Sequence, residues 1–226
     1  MKLLLWDLDG TILDFLAAEK ASLKARFPLW FHRDCTDEMV SLYSKINVSY
    51  WEKLERGEME KKAILIRRFE DFLNEVGEDP ALGERFSYDY ETHLPDTIVF
   101  CDGAREVLHA LSGRLPQCAI TNGTKSVQDE KLKRSGLIDI FDNVYISEAV
   151  GAEKPSPLFF EAVFRDYPDI SPEDMLIIGD SLTSDIRGGN NAGIPVCWYN
   201  PAGKKKTPDV RIDYEIKDLR EVLNLV

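Results

Sequence analysis

Histidine and cysteine are scarce in this chain. Its three histidines (His32, His93, His109) show no metal-ligand spacing, and its four cysteines (Cys35, Cys101, Cys118, Cys197) contain no CxxC pair. Neither a zinc site nor a disulfide framework is expected from them. Cys118 and Cys197 fall inside apolar strand-like runs and read as small core residues. No apolar run approaches the roughly 18 residues of a membrane span. Met1–Trp6 is too short for the hydrophobic part of a signal peptide before Asp7 interrupts it. A cytoplasmic protein without membrane contact is the expectation. Positive charge is also short: 28 Lys and Arg stand against 40 Asp and Glu, a formal net charge of −12. Such a surface repels nucleic-acid phosphates over long range, so no nucleic-acid partner is expected. A small anion is admissible only where a metal ion or a lysine reverses the field locally. No Walker A lysine motif occurs, and Gly188-Gly189 lacks the context of a dinucleotide fingerprint.

What is present divides into two textures. Residues 2–6 form a short apolar run ending at a carboxylate, the pattern of a buried strand. From about 15 to 95 the segments Ala17–Phe27, Asp37–Glu55, Glu58–Val76 and Glu84–His93 are long, charged and helically periodic, punctuated by Pro28, Gly57, Gly77 and Pro80. Beyond Cys101, strand-like runs at Gln117–Thr121, Asn143–Ser147, Met175–Gly179 and Val196–Tyr199 alternate with helix candidates at Ala104–Ser112, Ser126–Ser135, Pro157–Asp166 and Ser184–Asn191. This alternation predicts an α/β fold: a doubly wound, mostly parallel, Rossmann-like sheet built from 1–14 and 96–226, with 15–95 as an all-helical insertion. A monomer or weak dimer is expected.

Ligands of an open parallel sheet sit at the carboxyl ends of its strands. The residues there are Asp7-Leu8-Asp9-Gly10-Thr11, then Thr121-Asn122-Gly123, then Gly179-Asp180-Ser181 with Asp185 shortly beyond, and Lys154 follows the strand at 143–147. Four carboxylates, a hydroxyl and a lysine thus converge on one edge. Two such charges about 4 Å apart repel by roughly 4 kcal/mol at an effective dielectric near 20. A divalent cation relieves this, and an all-oxygen donor set favours Mg²⁺. With Lys154 and a dication, one negative charge is left over, so the site can accept a phosphate dianion.

In their order, Asp7-Leu8-Asp9-Gly10-Thr11, Thr121, Lys154-Pro155 and Gly179-Asp180…Asp185 resemble the four motifs of the haloacid dehalogenase-like hydrolase superfamily. The resemblance implies that 15–95 is a cap domain, with hinges near 14–18 and 92–100. It implies that Asp7 is the nucleophile, Asp9 the general acid and base, Thr121 and the Asn122 amide phosphoryl ligands, and Lys154 a stabiliser of developing charge. Mg²⁺ would be held by Asp7, the main-chain carbonyl of Asp9, Asp180 and Asp185. An aspartate at position 9 fits expulsion of an alkoxide, which needs a proton, and argues for phosphoryl transfer over dehalogenation.

The stretch Asn47–Trp51, Gly57, Lys61 and Arg68-Phe69 resembles the cap of the noncanonical pyrimidine 5′-nucleotidases, implying a nucleoside 5′-monophosphate as the phosphomonoester. Asn47 and Trp51, four apart, share a helix face that suits a base or sugar, and Lys61 and Arg68 share another that suits phosphate. Trp51 equally suits the insertion's own core, and Lys61 and Arg68 equally suit solvated positions. The alternatives are a sugar-phosphate phosphatase or phosphomutase and, in another class, a non-catalytic phosphate-binding regulatory protein. Lys204-Lys205-Lys206, before Pro208, reads as a solvated loop.

Overall fold

Leu3-Leu4-Leu5-Trp6-Asp7 forms strand β1, buried at all five positions. A strand covered on both faces reads as a continuous apolar run rather than an alternation, and this one does. The computed structural model describes residues 1–206 and 209–226; Pro208 lies outside them. The chain divides into two units, Met1–Asp14 with Val99–Val226, and Phe15–Ile98.

In the first unit, β1 (Leu3–Asp7) is joined by β2 (Gln117–Thr121), β3 (Asn143–Ile146), β4 (Met175–Gly179), β5 (Val196–Tyr199) and β6 (Tyr214–Ile216). All are parallel, in the order β3-β2-β1-β4-β5-β6. The helices of this unit are α5 (Ala104–Leu111), α6 (Lys125–Ser135), α7 (Ser147–Val150), α8 (Pro157–Asp166) and α9 (Arg187–Ala192). Alternate strand residues face opposite ways. Leu3, Leu5, Cys118, Ile120, Ile177 and Val196 pack with Phe159, Phe160 and Val163 of α8. Trp6 donates its indole N–H to Gln117 Oε1 (3.1 Å), and Gln117 Nε2 donates to the Leu108 carbonyl of α5 (3.0 Å). The sheet is therefore doubly wound. The chain leaves β1 toward β2 and returns from β3 to β4 on the other side, so the carboxyl ends of β1 and β4 flank the switch point where such folds bind ligands. Strand β6 has no counterpart in the sequence reading, because only one of its three residues, Ile216, is buried.

The second unit contains α1 (Phe15–Phe31), α2 (Asp37–Glu55), α3 (Lys61–Glu75) and α4 (Gly83–His93). Its centre is aromatic: Phe27, Tyr43, Phe69, Phe72, Phe86 and Tyr90 are fully buried, with the Tyr43 and Phe69 rings stacked 4.7 Å apart. Pro28 does not end α1 as its helix-breaking character suggests; the helix runs to Phe31. Proline costs one backbone hydrogen bond there, and the contacts of Phe27, Trp30 and Phe31 with Phe86 offset it. Thr36 caps α2, its side chain accepting from the Met39 N–H at 3.3 Å.

Candidate active site

Asp7 ends β1 and Asp180 follows β4, and because these strands are neighbours (Trp6 is in register with Ile178) the two carboxylates emerge side by side. Asp185 sits in a single π-helical turn, Leu182–Ile186. Ser181 aims it back: its N–H donates to Asp185 Oδ2 at 3.1 Å while its side chain accepts from the Ser184 N–H at 3.2 Å. One oxygen from each of Asp7, Asp180 and Asp185 lies within 4.8 Å of the others. Gly10 makes room. It has φ +97°, and a Cβ there would stand 2.7 Å from Asp180 Oδ1, so both its conformation and its bareness are required.

Lys154 is 1% exposed and spends all three ammonium protons: on Asp7 Oδ1 (2.8 Å), Asp185 Oδ1 (2.7 Å) and the Ile120 carbonyl (2.9 Å). Asn122 fixes its backbone reciprocally, donating to the Lys154 carbonyl and accepting from the Lys154 N–H, both at 2.8 Å. Thr11 Oγ1 donates to Asp7 Oδ2 at 3.2 Å. The Gly123 N–H donates to Thr121 Oγ1 (3.1 Å), and Thr121 keeps its own O–H as a donor.

Three carboxylates thus face one buried ammonium, with the exposed Lys204 beside Asp180. Burial, and then the charge of Asp185, push the Asp7 carboxyl well above its ordinary range, against the pull of Lys154. The same two causes push Asp180 up to about 6, opposed by Lys204 and Lys154. Burial works against the charge of Lys154, yet Asp185 and Asp7 hold its ammonium above the ordinary value. Carboxylates this close repel by roughly 3 kcal/mol or more at an effective dielectric near 20. Three carboxylates beside one buried ammonium leave negative charge in excess, and the donors are all hard oxygens, so the residues fit a divalent cation.

Asp9 stands apart from that cluster. Its Oδ1 accepts from Lys131 Nζ at 2.6 Å and its Oδ2 from Gln128 Nε2 at 2.7 Å, both on α6. Both oxygens of its carboxylate are thus engaged by α6, outside the cluster of Asp7, Asp180 and Asp185. Lys131 supplies the positive charge that the sequence count lacked.

A model of the haloacid dehalogenase-like hydrolases matches residues 1–193. The chain belongs to that family. Among its relatives, the HAD-hydrolase YfnB of Bacillus subtilis is 36% identical over 99% of this chain and 94% of its own. The crystal structure of YfnB, bound to magnesium and revealing interdomain movement, matches 99% of this chain and 97% of its own with a TM-score of 0.93. The pyrimidine 5′-nucleotidase PynA of Streptococcus pneumoniae is 34% identical over 99% of this chain and 94% of its own. The pyrimidine 5′-nucleotidase YjjG of Escherichia coli is 29% identical over 81% and 80%.

Of the residues singled out in this HAD-like chain, the sheet edge brings together Asp7, Thr121, Asn122, Lys154, Asp180 and Asp185. The helical unit differs from expectation. Lys61 and Arg68 are not solvated cations but 9% and 1% exposed. Arg68 Nη1 donates to Asn47 Oδ1 at 2.7 Å and its Nη2 pairs with Glu91. Asn47 Nδ2 donates to Glu19 Oε2 at 2.9 Å, and Ser44 donates to Glu19 Oε1. Asn47 and Arg68 are therefore spent on one another and on two glutamates, inside the bundle. Trp51 is half-buried against Tyr50, Leu54 and Ile64, with the Arg68 guanidinium 5.9 Å from its ring centre. Lys204 is not merely solvated: its Nζ lies 3.8 Å from Asp180 Oδ2. Its backbone is fixed by Asn200, which accepts from the Lys204 N–H at 2.7 Å. Sequence reasoning missed Gln128 and Lys131 as site residues; their spacing of three on one helix is the only local signal. No helix among the described residues is long and apolar enough to cross a membrane.

Proposed function

We propose that this hydrolase is a Mg²⁺-dependent phosphomonoesterase acting through an aspartyl-phosphate on Asp7, with a nucleoside 5′-monophosphate, pyrimidine ones foremost, as substrate. The observation that carries the reading is the convergence of Asp7, Asp180 and Asp185 on one point with the buried Lys154. Asp7, Asp180, Asp185 and the main-chain carbonyl of Asp9 would hold the metal. When bound, it neutralises charge on the nucleophile and on the phosphoryl oxygens.

The rest follows from the side chains. Asp7 attacks phosphorus in line; the P–O bond to the alcohol breaks as the acyl-phosphate bond forms. Asp9 gives its proton to the departing alkoxide. It then takes a proton from the water that attacks the acyl-phosphate, releasing inorganic phosphate and restoring Asp7. Thr121, with the Asn122 amide, orients a phosphoryl oxygen, and Lys154 keeps Asp7 aimed and offsets the charge that develops.

The substrate class rests on PynA, a pyrimidine 5′-nucleotidase matched across nearly the whole chain. In the helical unit Trp51 is the residue proposed to meet the base, with the Arg68 guanidinium 5.9 Å from its ring centre. The interdomain movement of the YfnB crystals supports reading the two crossings, at Asp14–Phe15 and Ile98–Val99, as hinges. Phosphate release from p-nitrophenyl phosphate, with and without EDTA, tests the mechanism. A panel of nucleotides and sugar phosphates tests the substrate. Equal rates on both groups would favour a sugar-phosphate phosphatase, and Mg²⁺-dependent binding without turnover a regulatory protein.

A further inference from the structure

Two buried lysines divide the two aspartates of Asp7-Leu8-Asp9 between them. Lys154 pairs with Asp7, inside the cation cluster, and Lys131 pairs with Asp9, outside it. Lys131 and Gln128 are 2% and 1% exposed, and together they place a donor on each Asp9 oxygen. Gly123 is shaped around this arrangement: a Cβ there would come within 1.9 Å of Gln128 Nε2. Gln128 Oε1, meanwhile, is buried with no hydrogen-bond partner. An unmet buried acceptor is unfavourable, and an apolar side chain would avoid it. Stability alone therefore does not account for a glutamine at this position; its contact with Asp9 does.

We propose that Gln128 and Lys131 are positioning residues that reserve Asp9 for proton transfer by holding its carboxylate out of the cluster of Asp7, Asp180 and Asp185. The inference rests on the phosphomonoesterase reading given above. A carboxylate two residues from Asp7 and free to turn would be drawn to a dication there and become one more ligand. The proton for the departing alkoxide would then have to come from water. With a donor on each oxygen, the carboxylate keeps one orientation, turned away from the cluster.

The test is a ratio. For the wild type, Lys131→Met, Gln128→Ala, Lys131→Arg and Asp9→Asn, kcat/KM is measured on p-nitrophenyl phosphate and on uridine 5′-monophosphate, or glycerol phosphate if the wild type prefers it. This constant reports the steps through transfer to Asp7, and p-nitrophenolate leaves with little need of a proton whereas an alkoxide needs one. A partly unfolded preparation cancels from the ratio. In Lys131→Met and Gln128→Ala the alkyl phosphate is expected to lose about 10- to 100-fold, within the range of acid–base assistance, and the aryl phosphate far less. Lys131→Arg keeps the wild-type ratio. A ratio that moves by less than about threefold in both Lys131→Met and Gln128→Ala, while Asp9→Asn moves it, overturns the positioning role alone. An unmoved ratio in Asp9→Asn, or activity in Asp7→Asn, overturns the mechanistic reading on which it rests.

Discussion

Both units of this protein bury carboxylates beside a cation, but they wire them differently. In the helical unit the groups form a line: Ser44 and Asn47 donate to Glu19, Arg68 donates to Asn47 and pairs with Glu91. Each acid there meets donors and no acid faces another. At the sheet edge the carboxylates of Asp7, Asp180 and Asp185 face one another around a common point, with Lys154 to one side. Burial of charge is common to both. Convergence of like charges belongs to one. A line in which each acid meets a donor is a strut, whereas like charges brought together against their repulsion mark a place where something else is meant to bind.

Replacing Asp7 by Asn tests this contrast most severely. Activity on p-nitrophenyl phosphate is expected to fall by at least about 10³-fold, as for loss of a nucleophile. The Tm measured in EDTA should stay level or rise, because one repelling charge is gone. A fall in Tm would mean that the cluster is a strut as well. In the helical unit the opposite outcome is expected. Arg68→Met leaves Glu91 without its ion pair and Asn47 without its donor, at a cost of about 3–5 kcal/mol in urea unfolding.

Metal removal separates the two regions again. At a Mg²⁺ concentration 100 times its Kd, the folded state gains about 2.7 kcal/mol. In a chain of this size that is a rise of several degrees in Tm. Asp180→Asn should abolish that rise and Arg68→Met should keep it. The smallest effect lies in Asp89, which accepts from Arg26 Nε and Nη2, each at 2.8 Å, and from Trp30 Nε1 at 2.9 Å. Burial alone would raise its carboxyl, but Arg26 and Trp30 outweigh burial and hold it below the ordinary value. Its contribution is thus present above the unfolded carboxylate range and lost as pH falls through the folded value. Asp89→Asn should cost about 1 kcal/mol at pH 7, with the deficit shrinking below about pH 4.

The edges of β2, β4 and β5 and the whole of α2 and α8 were legible in the sequence, since a short apolar run or a helical stripe is a local pattern that burial then enforces. So was the cluster: in a parallel sheet, acids placed just after strands have nowhere to go but the carboxyl edge. Other features depend on partners far away in sequence. Asp9 meets Gln128 and Lys131 across 119 and 122 residues, and nothing near either end announces the meeting. Arg68 and Asn47 look like surface polar groups until the bundle closes over them. Pro28 breaks a helix in isolation but is retained where aromatic packing holds the turn. Periodicity and charge at strand ends were enough to place these acids at one edge, because the common direction of the parallel strands brings their ends there. Which of them is matched, which is kept apart and which faces an excess was decided only in three dimensions, where each charge finds its nearest counterpart.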